Sequence, residues 1–142
     1  MARQISPYLS FDGNCREAMN FYKESIGGEL TLQTVGESPI AGQMPPALKD
    51  SIMHSTLTTD DGLVFMGSDM HRDKLVDGNT VHMCINCGSE EEINSLFTNL
   101  SRDGKITEPL VEMFWGGLYG SLTDKFGKNW VFNYQKNRMD NG

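Results

Sequence analysis

The 142-residue sequence predicts an α+β fold in which one βαβββ order occurs twice. Three observations predict it. The apolar period alternates between that of a strand and that of a helix, in the same order in each half. A stretch of the first half returns in the second: Gly28-Glu29-Leu30-Thr31 corresponds to Gly104-Lys105-Ile106-Thr107 at a shift of 76, which Phe21 and Phe97 also keep. Gly62 and Gly127 each open a last strand, 65 residues apart. The chain reads as one domain over 1–142, with a first module of about 4–70 and a second of about 79–135.

The elements follow in order. Ile5 to Phe11 alternates apolar and polar residues, the pattern of a half-buried strand, and Pro7 suits an edge. Asp12-Gly13-Asn14 turns the chain. Asn14 as N-cap with Glu17 three residues on gives a capping-box-like helix start. Ala18, Phe21, Tyr22 and Ser25-Ile26 keep a helical period until Gly27-Gly28 stops it. Glu29 to Val35 is a strand. Glu37 to Asp50 holds Pro39, Gly42, Pro45 and Pro46 without a period and reads as a loop, functional or simply solvated. Ser51 to Thr59 and Leu63 to Ser68 are strands joined at Asp60-Asp61-Gly62.

Asp69 to Asn79 is a polar connector. Thr80 to Cys87 is a strand with Val81, Met83, Ile85 and Cys87 on the core face and His82, Cys84 and Asn86 on the other. Ser89 caps a second helix rich in early carboxylates, with Ile93, Leu96, Phe97 and Leu100 as its stripe. Lys105 to Phe114 is a strand. The hairpin from Trp115 to Tyr134 turns at Asp124-Lys125-Phe126-Gly127 and completes the sheet, with Trp130 and Phe132 assigned to the core. Lys136 to Gly142 reads as a frayed tail.

Bulk composition narrows the function classes. The net charge is −7, with no basic stripe, which argues against nucleic acid and anionic membrane as partners. No apolar run is long enough to span a bilayer. The N-terminus leads into a strand with no signal-peptide pattern. Cys15, Cys84 and Cys87 are odd in number and read as reduced thiols of a cytoplasmic protein.

Three stretches resemble one family. They are Tyr8-Leu9-Ser10-Phe11-Asp12-Gly13-Asn14-Cys15-Arg16-Glu17-Ala18-Met19-Asn20-Phe21-Tyr22, Met53-His54, and Trp115 to Trp130. Together they resemble the PhnB-like branch of the vicinal oxygen chelate superfamily, which also holds glyoxalase I, bleomycin- and fosfomycin-resistance proteins and extradiol dioxygenases. The resemblance implies two βαβββ modules forming a cupped mixed sheet with helices on its convex face. It also implies a homodimer, and a place for the Glu37–Asp50 loop at a pocket mouth or dimer contact.

In metal-dependent members, four side chains from the first and last strands of each module hold the ion. Carried through the repeat, those places fall on Ser6, Met66, His82 and Val131. Only His82 is a good ligand, and neither carboxylate is present. A shift of one residue would offer Tyr8 or Asn133, but still no glutamate.

The pocket residues expected are Tyr8, His54, His82, Cys84, Trp115 and Tyr119, with Tyr134 a further aromatic candidate; Trp115, Tyr119 and Tyr134 each read at least as well as core or dimer packing. His54 has a second reading, as a histidine simply bonded to a neighbouring carbonyl. His82 and Cys84 lie about 6–7 Å apart by strand rise, long for a thiol–imidazole pair. Asp69 sits near the expected pocket rim and reads as a cap of the following turn. His71 reads as exposed, Cys87 as core and Cys15 as a helix-start residue. No glycine-rich loop joins a strand to a helix as a nucleotide-type cofactor needs, so the methyltransferase label sometimes given to this branch has no motif behind it.

The expectation is a protein that binds a small molecule in the sheet hollow, itself as homodimer, with no cofactor and no catalytic metal. The alternatives are a metal-dependent glyoxalase- or dioxygenase-type enzyme using His82, and a dimeric structural protein without ligand.

Overall fold

A computed structural model describes residues 3–71 and 73–135. The chain separates into two compact units with the boundary between Val76 and Asp77, inside the polar connector. The tail from Lys136 lies outside the described residues.

The first unit runs β1 (Tyr8–Ser10), α1 (Cys15–Ile26), β2 (Glu29–Thr34), β3 (Ile52–Thr58) and β4 (Val64–Ser68). Its sheet has the order β1-β4-β3-β2, with β1 parallel to β4 and the other pairs antiparallel. The second unit runs β5 (Met83–Asn86), α2 (Glu90–Leu100), β6 (Lys105–Glu112), β7 (Gly117–Thr123) and β8 (Asn129–Gln135). Its order, β5-β8-β7-β6, repeats the same plan. The βαβββ order therefore occurs twice, and the fold is α+β.

In the first unit α1 buries Cys15, Ala18, Met19, Phe21 and Tyr22, and the sheet buries Ser55, Leu57 and Phe65. In the second, Phe97 of α2 meets Phe132 of β8 edge to face at 5.3 Å, and Trp130 and Phe132 are fully buried. Those two aromatics occupy the core positions that alternation assigns them.

The repeat is visible in atomic detail. Gly28 and Gly104, 76 residues apart, each lie against the last carbonyl of a neighbouring strand. A Cβ on Gly28 would stand 2.6 Å from the Thr58 oxygen, and one on Gly104 would stand 2.5 Å from the Thr123 oxygen. The two hairpin turns also match. Gly62 N–H donates to the Thr59 carbonyl at 3.1 Å, and Gly127 N–H to the Asp124 carbonyl at 2.9 Å. The Thr59 hydroxyl accepts from Leu63 N–H, and the Asp124 carboxylate accepts from Lys128 N–H. Both glycines hold φ near +90°, where a side chain is strained.

Gly104→Ala is expected to cost about 1–3 kcal/mol, because the colliding atoms are backbone and cannot yield. Gly88→Ala is the control: its Cβ would meet only Glu92 Oε1, at 3.8 Å. Chemical denaturation of both variants checks this, and equal midpoints would contradict it.

Four local readings are corrected. Asn14 makes no side-chain cap bond, so the capping box with Glu17 does not form. The carboxylate that serves α1 comes instead from Asp69, far away in sequence. The strand read from Thr80 begins only at Met83, because Val81 is exposed and buries nothing. The strand read from Ile5 begins only at Tyr8, and Ile5 is exposed.

Finally, Val35 leaves its strand. It enters a short 3-10 turn, Val35–Glu37, closed by a reciprocal box between Thr34 and Glu37. Two more such turns, Ala41–Gln43 and Pro46–Leu48, give the proline-rich loop a defined path.

Candidate functional site

In a two-layer unit one sheet face packs on the helix, and the other is left to solvent or ligand. Strand register decides which residues share that second face. In the first unit Tyr8 pairs with Met66, which pairs with Thr56, and His54 lies two residues before Thr56. The Tyr8 and His54 rings lie 6.2 Å apart, tilted by 34°. His54 Nε2 lies 3.3 Å from the Thr56 hydroxyl. Tyr8, His54, Thr56 and Met66 thus form one cluster, and its His partner is a hydroxyl rather than a backbone carbonyl.

In the second unit Cys84 pairs with Val131, which pairs with Ser121. Asn86 pairs with Asn133, which pairs with Tyr119. This face is polar and cross-linked. The Asn133 amide donates to Asn86 Oδ1 at 3.1 Å. The Ser121 hydroxyl donates to Glu108 Oε1 at 3.0 Å and lies 2.7 Å from the Thr107 hydroxyl. The Tyr119 phenol also bonds Glu108. Desolvation pushes the phenol pKa up, and the nearby Glu108 carboxylate adds to that shift.

Glu108 was not among the residues that alternation selects. The pairing of β6 slips on both sides of it, between Ile106 and Glu108 and between Glu108 and Val111. Pro109 was the available signal, since proline in a strand marks an edge or a bulge.

The remaining expected pocket residues stand apart. His82 precedes β5 and is exposed. Trp115 is in the β6–β7 turn, 45% exposed, with its ring edge to face against Phe114 at 4.9 Å. Of the four expected ligand positions, Ser6 lies before β1, where its hydroxyl accepts from the Gln4 amide at 2.8 Å. The register places Tyr8 beside Met66 and Cys84 beside Val131, so Ser6 and His82 fall two residues short of those pairs. Among the described residues no three His, Cys, Asp or Glu side chains converge as metal ligands. A divalent ion needs several such donors, and serine, methionine and valine do not supply them.

Among the described residues Asp69 caps no following turn; there Met70 N–H donates to the Ser68 hydroxyl. Instead Asp69 is buried and accepts from Gly13 and Cys15 N–H through Oδ1, and from Ile52 N–H through Oδ2. His71 is not simply exposed. Its Nε2 lies 3.2 Å from Asp12 Oδ1 and its Nδ1 3.0 Å from the Asp73 carbonyl. Asp12 first, then the Asp73 carbonyl, raise the His71 pKa above its ordinary value. These residues border a cleft of about 300 Å³ between the Asp12-Gly13 turn and the proline-rich loop.

The thiols differ sharply. Burial pushes Cys15 up to about 11 and Cys87 up to about 12, while Cys84 is exposed, with burial also raising it. Near pH 8 one thiol, Cys84, is expected to react rapidly with an aromatic disulfide reagent, and all three in guanidinium. Cys84→Ser should abolish the rapid phase; its survival would contradict the assignment.

No helix among the described residues is long and apolar enough to cross a membrane. Residues 3–132 match the model of the family described as 3-demethylubiquinone-9 3-methyltransferase. Protein YjdN of Escherichia coli is 32% identical, the match covering 93% of this chain and 95% of that one. The crystal structure of protein PA1353 from Pseudomonas aeruginosa is 35% identical, with a TM-score of 0.83 over 94% of this chain and 98% of that one. A PhnB protein from Bacillus cereus, described under the same methyltransferase name, is 28% identical with a TM-score of 0.72, covering 93% and 99%. A glyoxylase/bleomycin resistance protein/dioxygenase domain from Frankia shares the fold at 12% identity and a TM-score of 0.64, covering 96% and 99%. The match along nearly the whole chain, on this repeated βαβββ plan, places the protein in the PhnB-like family, described as 3-demethylubiquinone-9 3-methyltransferase, with the fold of a glyoxylase/bleomycin resistance protein/dioxygenase domain.

Proposed function

We propose that the protein binds a small molecule against its helix-free sheet faces, without a catalytic metal. The observation that carries this is the linked row of Tyr119, Glu108, Ser121 and Thr107 beside Cys84, Asn86 and Asn133. Ligand sites join an apolar and aromatic lining to a few fixed polar groups, and this row supplies the polar groups and one ring. The Tyr8–His54 pair supplies a second such surface on the first unit. The donor chemistry of Ser6, Met66 and Val131 supports a role that does not need an ion.

Methyl transfer is not part of this reading. Each strand-to-helix connection, Phe11 to Asn14 and Cys87 to Ser89, carries one glycine rather than a G-x-G-x-x-G run. Homodimerisation and a cytoplasmic location belong to the same proposal. The first is supported by β6, an edge strand whose exposed Ile106 and Val111 lead to exposed Phe114; the second by three free cysteines.

The test has two arms. Protein dialysed against Zn²⁺, Ni²⁺, Mn²⁺ or Fe²⁺ and freed of loose ions should retain less than about a tenth of an equivalent. A thermal-shift screen of small molecules should yield a ligand whose effect is lost in Tyr119→Phe or Glu108→Gln. One retained equivalent of metal, lost in His82→Ala, would overturn the proposal in favour of a glyoxalase- or dioxygenase-type enzyme.

A further inference from the structure

Building on the sheet-face reading, we infer that the polar row of the second unit recognises its ligand through the ligand's own hydrogen-bond donors. The site takes a small molecule that presents O–H or N–H groups, and it selects against carboxylates and phosphates.

The protons of the row are already assigned. The Ser121 hydroxyl gives its one proton to Glu108 Oε1, at 3.0 Å. Its 2.7 Å contact with the Thr107 hydroxyl therefore runs the other way, with Thr107 donating to Ser121. The Tyr119 phenol gives its proton to the same carboxylate. All three hydroxyl protons thus run toward Glu108. What the row offers a ligand is lone pairs: those of Thr107 and Tyr119 at its two ends, and those of the carboxylate, which has about four acceptor positions. Thr107 and Glu108 are exposed and Tyr119 is half-buried. An anion brings acceptors to these acceptors. To hold it, Thr107 or Tyr119 would have to turn its proton outward and break a bond of the row, with the new charge beside Glu108. A ligand O–H or N–H requires no such change.

The backbone of β6 is shaped to build this row. Along a regular strand, neighbouring side chains point to opposite faces. Thr107 and Glu108 are neighbours, yet both reach the Ser121 hydroxyl. The slip in pairing between Ile106 and Glu108 allows it. Such bulges re-aim side chains beside functional sites. The β5 side of the face has the opposite sense. Asn86 Oδ1 accepts from the Asn133 amide at 3.1 Å and faces the Cys84 thiol at 3.9 Å, so Asn86 keeps its N–H groups to donate. It lies two strands from Tyr119, about 9–10 Å by strand spacing. It can meet the far end of a ligand, not the group that the row holds.

The experiment compares three probes on the full chain by backbone amide shifts. Resorcinol carries hydroxyl donors, 1,3-dimethoxybenzene keeps the ring and oxygens without donors, and isophthalate carries carboxylates. Resorcinol should perturb Thr107, Tyr119 and Ser121 and bind at least about fivefold more tightly than the other two. Thr107→Val and Tyr119→Phe each remove one outer acceptor and should each weaken resorcinol about three- to tenfold. Glu108→Gln is the sharper variant. An amide accepts through one oxygen and brings donors of its own, which releases protons in the row. Resorcinol should then lose affinity while isophthalate gains about threefold. Equal binding of resorcinol and either other probe at this face, or a resorcinol-to-isophthalate ratio unchanged in Glu108→Gln, would overturn the inference and leave the sheet-face reading standing. Shifts at Tyr8 and His54 alone would overturn it in favour of the first unit's face. No shift on either face with any probe would overturn both readings.

Discussion

Asp69→Ala is expected to lower the unfolding free energy by about 3–5 kcal/mol. The carboxylate accepts from Gly13 and Cys15 N–H at 2.9 and 3.0 Å and from Ile52 N–H at 2.8 Å. It thereby ties the end of β4 to the start of α1 and the start of β3. Alanine leaves these backbone donors without that acceptor, and each buried orphan costs about 1–3 kcal/mol. A single domain is stable by only about 5–15 kcal/mol, so the variant should stand near the edge of folding. Asp69→Asn should lose about half as much, since one oxygen remains and the amide nitrogen turns against another donor. Urea denaturation measures both. Hydrogen exchange should show the amides of Gly13, Cys15 and Ile52 opening first. A loss below about 1 kcal/mol for alanine would refute the role.

The second large effect is expected at Asp124. Its Oδ1 accepts from Phe126 and Lys128 N–H at 2.8 and 3.0 Å, and its Oδ2 from Trp130 Nε1 at 2.8 Å. One buried carboxylate thus fixes the β7–β8 turn and seats the fully buried Trp130. Asp124→Ala should cost about 3–4 kcal/mol. Trp130→Phe removes the indole donor and part of the volume, at about 1.5–3 kcal/mol. Because the residues share a bond, the double variant should lose about 1–2 kcal/mol less than the sum of the singles. Strict additivity would show that the indole–carboxylate bond contributes nothing. Trp115, half-exposed in its turn, gives a fluorescence signal distinct from that of Trp130.

These two aspartates show what the sequence made legible. Asp124 was readable as the first residue of a type I turn, because its backbone partners are two and four residues away. Its indole partner is six residues on, across the hairpin. Asp69 was readable only as a cap. Its partners lie 17 to 56 positions back along the chain; the parallel pairing of β1 with β4 brings Gly13 and Cys15 near, and the antiparallel pairing of β3 with β4 brings Ile52 near. The α+β order and the Gly28/Gly104 correspondence were legible because they depend on local period and local sterics.

The candidate site was legible in part for the same reason. Alternation along β5 put Cys84 on the correct face, and it put Trp130 and Phe132 in the core. It overextended that strand to His82, which is exposed and precedes the first paired residue, Met83. It missed Glu108, because two slips in register on β6 break the alternation around Pro109. The cleft could not be read from period, although the family resemblance put the Glu37–Asp50 loop at a pocket mouth or dimer contact and Asp69 near a pocket rim. It joins Met44 and Leu48, from a stretch without period, to residues at the far end of β4.

The pairing of the first strand with the last has a consequence for synthesis. As the chain leaves the ribosome, Tyr8–Ser10 has no neighbour until Val64–Ser68 has been made. Until then β3 keeps an open edge, and the short first strand waits as unpaired peptide. Asp69 emerges directly after that last strand, and it then reaches back to the amides at 13, 15 and 52. Emergence of this one residue therefore completes the set of groups that hold the first unit together. A nascent chain whose β4 has emerged without Asp69 would have all the strands of this unit and lack the acceptor for those three amides.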